Sequence, residues 1–278
     1  MRINLTRRAL FVMTLALGVT SAMRSPAARA QDLDQIFAQH NVASTMSIDH
    51  TAWADILKAY NISYTDKINR FAYGKVSQSD RAKLEAYLKA LQAVKVTGLS
   101  RDEQFAFWAN LYNALTIKVI LDHYPVASIR DITFGLFSFG PWSKKFVTVE
   151  GRELSLDDIE HKILRKVYKD ARVHYAVNCA SIGCPNLALK PFTGASLNAM
   201  LDEGARAYVN HPRGVSVAAD GSVKASSIYN WFSTDFGNND KEILGHMIKY
   251  AAPALKAKLE AAKDIDSYDY DWAINDAK

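Results

Sequence analysis

Residues 100–121 limit the possible folds of this chain more than any other segment. Apolar and aromatic side chains occur on almost every side of this run, and Pro125 prevents a helix from continuing beyond it. Ser100 and Glu103 fit the first turn of such a helix as a capping pair. A helix that is apolar all round has to be covered by other elements. We therefore predict a central helix over residues 100–121, buried in the middle of the fold.

Capping patterns and hydrophobic periodicity predict the remaining elements. Ser77 and Ser155 each begin an S-x-x-D box at the start of a helix, and Asn239 begins another helix. A further amphipathic helix lies around residues 53–60. Two hairpins are predicted, at residues 146–154 and 215–223. Because helix outweighs strand, the expected fold class is α+β, a helix-rich single domain around a small, mostly antiparallel sheet.

Residues 1–30 have the pattern of an export signal. Three arginines in the first eight residues precede the apolar run 9–19, and Ala28 and Ala30 give a cleavage pattern. A signal of the twin-arginine type also fits this pattern. We expect cleavage after Ala30, a mature single domain over residues 31–278, and a periplasmic or secreted protein. No later segment has the roughly 18 apolar residues of a membrane span.

The charge distribution argues against nucleic acid as a partner. The whole chain has 34 Lys and Arg against 29 Asp and Glu, but residues 1–30 contain five arginines and no acidic residue. The predicted mature domain therefore has no net formal charge with which to follow a phosphate backbone. We expect no nucleic-acid partner and no membrane span after signal cleavage.

Four sequence motifs, and a fifth near the end of the chain, carry a family resemblance. They are FWANLYNA (107–114), LSLDDIEH (154–161), VHYAVNCASIGCP (173–185), IYNWFSTDFG (228–237) and YDWAIN (270–275). Together they resemble the family called domain of unknown function 547 over most of residues 50–275. One departure is Ala171, where that family more often has proline. With the signal pattern, the resemblance indicates an exported bacterial member of the family. It implies no activity, so function has to be argued from the residues.

Cys179 and Cys184 are the only cysteines of the chain, and four residues separate them. In an oxidising compartment, with Ser181 and Gly183 allowing a tight turn, a short-loop disulfide is the favoured state. A reactive thiol and redox chemistry at the pair are the alternatives. The spacing is not C-x-x-C, and with His174 the pair supplies only three of the four ligands of a structural zinc. We therefore predict no metal and no other cofactor.

His174 is the candidate catalytic base, and Asn178 is its candidate partner. Their side chains share a face whether this segment is helix or strand, whereas His174 and Cys179 share a face in neither case. We predict one polar cluster of His174 and Asn178 with Asn110 or Asn113, the two amides of the central helix. The structural alternative is a core histidine whose ring is satisfied by an amide or a carbonyl group.

Four residues are candidate ligand-binding groups, namely Asn110, Tyr112, Asn113 and Glu160. Glu160 lies at the border of the apolar stripe of its helix, whereas His161 is expected to point into solvent. The run of aromatic and glycine residues at 134–142 either lines a hydrophobic groove or packs against the core.

Two functions of different classes remain open at this point. The first is a thiol- and histidine-dependent hydrolase or acyl transferase with Cys179 or Cys184 as nucleophile. In this function His174 is the base, oriented by Asn178 or by an amide of the central helix. The second is a non-enzymatic periplasmic module that binds a small molecule or a protein and has a structural Cys179–Cys184 disulfide.

Overall fold

The computed structural model describes residues 32–135 and 139–278. The predicted export signal, residues 1–30, and residues 136–138 of the aromatic run lie outside the described residues. The α-helices of the described ranges are α1 Leu33–Phe37, α2 Thr51–Tyr60, α3 Gln78–Gln92, α4 Arg101–His123, α5 Val173–Ala176, α6 Leu197–Val209, α7 Ser227–Trp231, α8 Ser233–Phe236, α9 Asp240–Tyr250 and α10 Pro253–Ala261. A π-helix spans Asp158–Tyr168. The strands are β1 Asn61–Ser63, β2 Asn69–Phe71, β3 Lys145–Val149, β4 Arg152–Ser155, β5 Val215–Val217, β6 Val223–Ser226 and β7 Ser267–Asp269.

The predicted central helix is α4, and 18 of its 23 residues are buried. Its side chains are apolar all round, and other elements cover it on every side as the sequence requires. Ser100 makes no capping hydrogen bond with its side chain. Instead, the carboxylate of Glu103 accepts hydrogen bonds of 2.7 Å from the main-chain N–H groups of Ile48 and Gly194. Glu103 therefore ties the start of α4 to two distant loops.

The strands form three small sheets in the described part of the chain, rather than one. The pairs β1–β2 and β3–β4 are antiparallel hairpins. In the third sheet β6 pairs antiparallel with β5 and parallel with β7. The two predicted hairpins are β3–β4 and β5–β6. The helix-rich α+β fold is thus confirmed, with its strands divided among three sheets because each strand has only three to five residues.

Two hydrophobic cores flank α5. The first surrounds α4 and includes side chains from α2, α3 and the π-helix. The second is built mainly from α6, α7 and α9. Within α5, Val173 and Ala176 belong to the first core, whereas Tyr175 belongs to the second. The short helix α5, which carries His174, is therefore fixed between the two cores. Among the described helices, none combines the length and apolar composition needed to cross a membrane.

Of the two predicted S-x-x-D boxes, the one at Ser155 forms both of its hydrogen bonds, whereas the one at Ser77 forms only the bond to the serine hydroxyl, because the Ser77 N–H donates to the Tyr60 hydroxyl. Ser77 Oγ accepts the main-chain N–H of Asp80 at 3.1 Å. Ser155 Oγ accepts the N–H of Asp158 at 3.1 Å, and the Asp158 carboxylate accepts the N–H of Ser155 at 2.9 Å. From Asp158 onward, however, the main chain is wound as a π-helix, whose hydrogen bonds join residues five apart. This winding changes which side chains share a face of the helix. A helical wheel with 3.6 residues per turn therefore does not give the positions of the side chains in this segment.

Residues 271–277 connect distant parts of the fold. The N–H of Phe71 donates to the carbonyl of Asn275 at 2.8 Å, and the N–H of Asn275 donates to the carbonyl of Ala180 at 3.1 Å. The Tyr73 hydroxyl also donates to Asn275 Oδ1 at 2.8 Å. This segment therefore holds the β1–β2 hairpin against the loop that follows α5.

Candidate functional site

Segments from six parts of the chain line a cavity of about 250 Å³ next to α5. Its lining residues are Tyr112, Trp142, Asp157, Glu160, His161, His174, Val177, Cys179, Cys184, Pro185, Ile228, Trp231, Phe232, Tyr270 and Trp272. Apart from Trp142, every one of them lies in one of the five sequence motifs. Aromatic rings, two histidines, two carboxylates and two cysteine sulfurs therefore meet in one small cavity.

The His174 ring pairs with Asp235, which was not among the site residues predicted from the sequence. Its Nε2 lies 2.7 Å from Asp235 Oδ2, and Arg165 holds the same carboxylate through contacts of 2.5 and 3.1 Å. Burial alone would raise the pKa of Asp235, but the hydrogen bonds from His174 and Arg165 hold it well below its usual value. The Phe232 ring stacks on the imidazole with 4.3 Å between centroids. The His174 ring is therefore fixed in orientation, as a general base requires.

Cys179 and Cys184 form the predicted disulfide, with their Cα atoms 6.3 Å apart. The described residues contain no free cysteine. Cys179 is partly exposed, and its Sγ lies 3.0 Å from the Tyr270 hydroxyl and 3.2 Å from the Ser181 hydroxyl. Cys184 is buried, and its Sγ accepts the main-chain N–H of Cys179 at 3.0 Å. The outer sulfur of the bridge therefore belongs to Cys179.

His174 and Cys179 line the same cavity, although neither a uniform helix nor a uniform strand would place them on one face. The reason is that the segment is neither. Helix α5 ends after a single turn, and Val177 is extended with ψ of 135°. The chain therefore changes direction between His174 and Cys179.

The amides of Asn110, Asn113 and Asn178 bind main-chain groups. Asn110 exchanges two hydrogen bonds with the main chain of Phe192, at 2.8 and 3.0 Å. Asn113 donates to the carbonyl of Ala176 and accepts the N–H of Asn178, both at 2.8 Å. The expected single cluster is thus divided, because Asn113 and Asn178 meet while the His174 ring pairs with Asp235. An amide offers both a donor and an acceptor, which suits unpaired main-chain groups of buried loops.

Asn178 itself secures the loop that carries the disulfide. Its amide donates to the carbonyl of Pro185 at 2.7 Å and accepts the N–H of Ala180 at 2.9 Å. The side chain of Asn178 is 3% exposed and does not line the cavity. Asn178 therefore fixes the main chain of the loop that carries Cys179 and Cys184 without itself lining the cavity.

Two of the candidate ligand-binding residues, Tyr112 and Glu160, do line the cavity. Burial raises the pKa of Tyr112 well above its usual value, and the neighbouring Glu160 carboxylate raises it further. His161, which was expected to point into solvent, has a side chain that is 36% exposed, and it also lines the cavity, 3.6 Å from Asp157 and 3.8 Å from Glu160. Burial raises the pKa of Asp157, Glu160 adds to the increase and His161 opposes it.

Aromatic rings form the remaining wall. Trp272 lies 5.6 Å from Trp231, 5.8 Å from Trp142 and 4.7 Å from Tyr270, measured between ring centroids. Trp231 is 47% exposed, which places it at the mouth of the cavity. In the aromatic run, Trp142 lines the cavity while Phe139 is exposed. Of the described residues, no group of three His, Cys, Asp or Glu side chains is arranged to hold a metal ion.

Comparison with known protein families supports the resemblance that the sequence motifs indicate. Residues 96–209 match the family described as protein of unknown function, DUF547. Residues 96–209 are therefore assigned to the DUF547 family. The match includes α4, the π-helix, α5 and the disulfide loop, whereas Asp235, Tyr270 and the tryptophans at 231 and 272 lie beyond it. No curated protein and no solved structure matched the chain.

Several site residues were not predicted from the sequence, among them Asp235, Arg165 and Trp272, and also Asp157, Trp231 and Tyr270. Asp235 and Trp272 both lie within motifs that had been recognised, IYNWFSTDFG and YDWAIN. A carboxylate inside such a motif was therefore available as a partner for His174. Arg165 carried no comparable signal, because a single arginine on a helix is ordinarily a solvated surface residue.

Proposed function

We propose that this DUF547 domain is an exported hydrolase or acyl transferase whose nucleophile is the Cys179 thiolate of the reduced protein. His174 is the base, and Asp235 is the positioning residue that orients it. The observation that carries the proposal is that a histidine fixed by a carboxylate lines the same cavity as the Cys179 sulfur.

The bridged protein has to be reduced before it can react in this way. A dithiol reductant supplies two electrons and two protons, which convert the disulfide into two thiols while the reductant closes to its own disulfide. Cys179 is the accessible sulfur and is attacked first, and Cys184 leaves with its sulfur bonded by the N–H of Cys179. The oxidised state is therefore the resting form.

The proposed reaction then follows from the contacts of the two side chains. Because Nε2 of His174 is bonded to Asp235, Nδ1 is the nitrogen that takes the thiol proton. Hydroxyl donors at Tyr270 and Ser181 stabilise the thiolate, which attacks an acyl carbon. The imidazolium returns its proton to the leaving group, and water or an amine then releases the acyl group from Cys179.

The first prediction compares two variants that both lack the bridge. In Cys184→Ser the thiol of Cys179 is free, whereas in Cys179→Ser only the buried Cys184 is free. With p-nitrophenyl acetate, Cys184→Ser should form an acetyl-enzyme at least about 10-fold faster than Cys179→Ser, since activated cysteines need an exposed, base-paired sulfur. Intact mass and the nitrophenol burst measure the adduct.

The same pair supplies the test of His174. Adding His174→Asn to Cys184→Ser should slow acetylation by about 10²-fold, the usual contribution of a general base. Equal acetylation of the two cysteine variants, or no effect of His174→Asn, would rule the proposal out.

The binding module is the second candidate function, and the closed bridge favours it. A disulfide leaves no thiolate among the described residues, yet it shapes one wall of the cavity. For a binding module, the cavity is functional in the oxidised protein and the sulfurs serve only to hold the loop. Ligand binding that persists unchanged in bridged protein, with both cysteine variants unreactive, would select this function.

A further inference from the structure

The cavity combines aromatic faces with two carboxylates that form no ion pair with a described lysine or arginine. Asp157 and Glu160 lie on its wall, and among the described residues the ion-pair contacts of both are with His161, at 3.6 and 3.8 Å. None of the described residues that line the cavity is Lys or Arg. The formal charges of the lining are therefore the two carboxylates, with the histidines as the only groups able to offset them.

A neighbouring carboxylate shows what a structural ion pair looks like in this helix. Asp158 is buried and contacts both Lys145 and Lys162, and it also accepts hydrogen bonds from Ser155. Asp157 and Glu160 form no ion pair with a lysine of the described ranges. Glu160 is buried, whereas the Asp157 side chain is 41% exposed. Burying the Glu160 carboxylate beside an apolar wall without a cation is unfavourable, so a ligand that supplies the cation at the mouth shared with Asp157 would stabilise it.

The nearby basic side chains are already engaged. Arg165 pairs with Asp235, and Lys162 pairs with Asp158. The guanidinium of Arg130 lies over the Trp272 ring, 5.3 Å from its centroid. This contact shows that a cation is accommodated on the face of Trp272, as expected for a tryptophan ring.

We infer that the cavity recognises an organic ammonium group, held over the tryptophan rings and neutralised by Asp157 and Glu160. Rings that surround a cation, with carboxylates close by, are the arrangement that binds quaternary and primary ammonium groups. The volume of about 250 Å³ is slightly below that of most small-molecule clefts. It therefore fits one side chain or a small amine. The inference rests on the proposed function in that it names the class of its substrate.

The test compares ligands of equal shape and different charge. Choline and its uncharged carbon analogue, 3,3-dimethylbutanol, are titrated into the bridged protein without reductant, with tryptophan fluorescence and calorimetry as readouts. Choline should bind at least about 10-fold more tightly than the analogue, because only choline gains both the cation–π contact and the carboxylates. N-acetyl-lysine amide, titrated in parallel, distinguishes a lysine side chain from a small quaternary amine as the source of the ammonium group.

Matched variants separate charge from packing. Glu160→Gln and Asp157→Asn should each reduce the preference for choline over its analogue by about 3-fold or more. Glu153→Gln, an exposed carboxylate on β4, should leave the preference unchanged. Trp231→Leu should weaken choline binding at unchanged circular dichroism.

Two outcomes would overturn the inference. One is that the uncharged analogue binds as tightly as both cations, and the other is that neither cation binds at millimolar concentration. Because these titrations use bridged protein and no reaction, they are independent of the acetylation experiment. If neither cation binds but Cys184→Ser is still acetylated, only the inferred substrate class is wrong. If choline binds as expected but Cys184→Ser is not acetylated, only the proposed acyl-transfer chemistry is wrong.

Discussion

Acidic side chains around the cavity differ in how their charge is compensated. Asp235 and Asp158 are each bonded to two basic groups, and although burial opposes ionisation, these bonds hold the pKa of both carboxyls well below the usual value. Asp157 forms no ion pair with a lysine or arginine of the described residues, and its pKa is raised by burial and by Glu160, although His161 opposes the increase. Asp235 and Asp158 thus act as fixed anions in the structure, whereas the charge of Asp157 is compensated less fully.

His246 on α9 gives a residue-scale prediction of pH dependence. Burial, followed by the charge of Lys249, lowers the pKa of His246 to about 4 in the folded protein, compared with 6.5 for an ordinary histidine. Between these values the unfolded chain binds a proton that the folded chain does not, so the free energy of unfolding should fall as the pH decreases from about 6.5 to about 4. The loss from this residue should reach about 3 kcal/mol.

Chemical denaturation of the wild type and of His246→Gln near pH 7 and near pH 4.5 measures this effect. The variant should be the less sensitive of the two to acid, since glutamine does not titrate. His50 also has a lowered pKa because of burial, so it contributes to both proteins and cancels in the difference. Parallel stability curves for the two proteins would contradict the assignment to His246.

At the scale of elements, the helices and hairpins could be predicted because their signals are local. Ser77, Ser155 and Asn239 cap within four residues of their own position, and the apolar pattern of α4 is continuous. The π-helix could not be predicted, because the pattern of side chains was interpreted with an α-helical period. The pairing of His174 with Asp235 spans 61 residues and depends on how α8 packs against α5. Local periodicity contains no information on that contact.

Asn113 provides the prediction at this scale, because it joins α4 to α5 and to the loop after it. Removing its amide in Asn113→Ala leaves the carbonyl of Ala176 and the N–H of Asn178 unpaired in the interior. Each unsatisfied buried group costs about 1–3 kcal/mol, so the variant should lose roughly 2–6 kcal/mol of unfolding free energy in urea. Gln78→Ala, an exposed change at the start of α3, should stay within about 0.5 kcal/mol of the wild type. Equal stability of the two variants would show that Asn113 has no such joining role.

On the scale of the whole molecule, the DUF547 match and the cavity do not coincide. Residues 96–209 provide α4, the π-helix and the disulfide. The helices α2 and α3, which cover α4, precede this range. The second core and the aromatic wall formed by Trp231 and Trp272 lie largely after it. The sequence motifs identified these outer segments as part of the family resemblance, but only the fold shows that they reach the cavity.

A fragment of residues 96–209 should therefore fail to fold cooperatively. Helix α4 would expose apolar side chains that α2 and α3 normally cover, and α5 would lose one of its two cores. Urea denaturation followed by circular dichroism should give a broad, shallow transition for the fragment and a sharp one for residues 32–278. A sharp transition for the fragment would mean that the matched range is an independent unit.

Residues 270–277 also determine when the cavity can exist during synthesis. Tyr270 and Trp272 complete its wall, and Asn275 bonds to segments near both residue 71 and residue 180. A ribosome that has translated the chain only as far as α10 holds a polypeptide with every catalytic candidate but no enclosed site. Cys179 of such a nascent chain lacks the Tyr270 hydroxyl that contacts its sulfur in the finished protein. The wall of the cavity can therefore be completed only after translation has passed these residues.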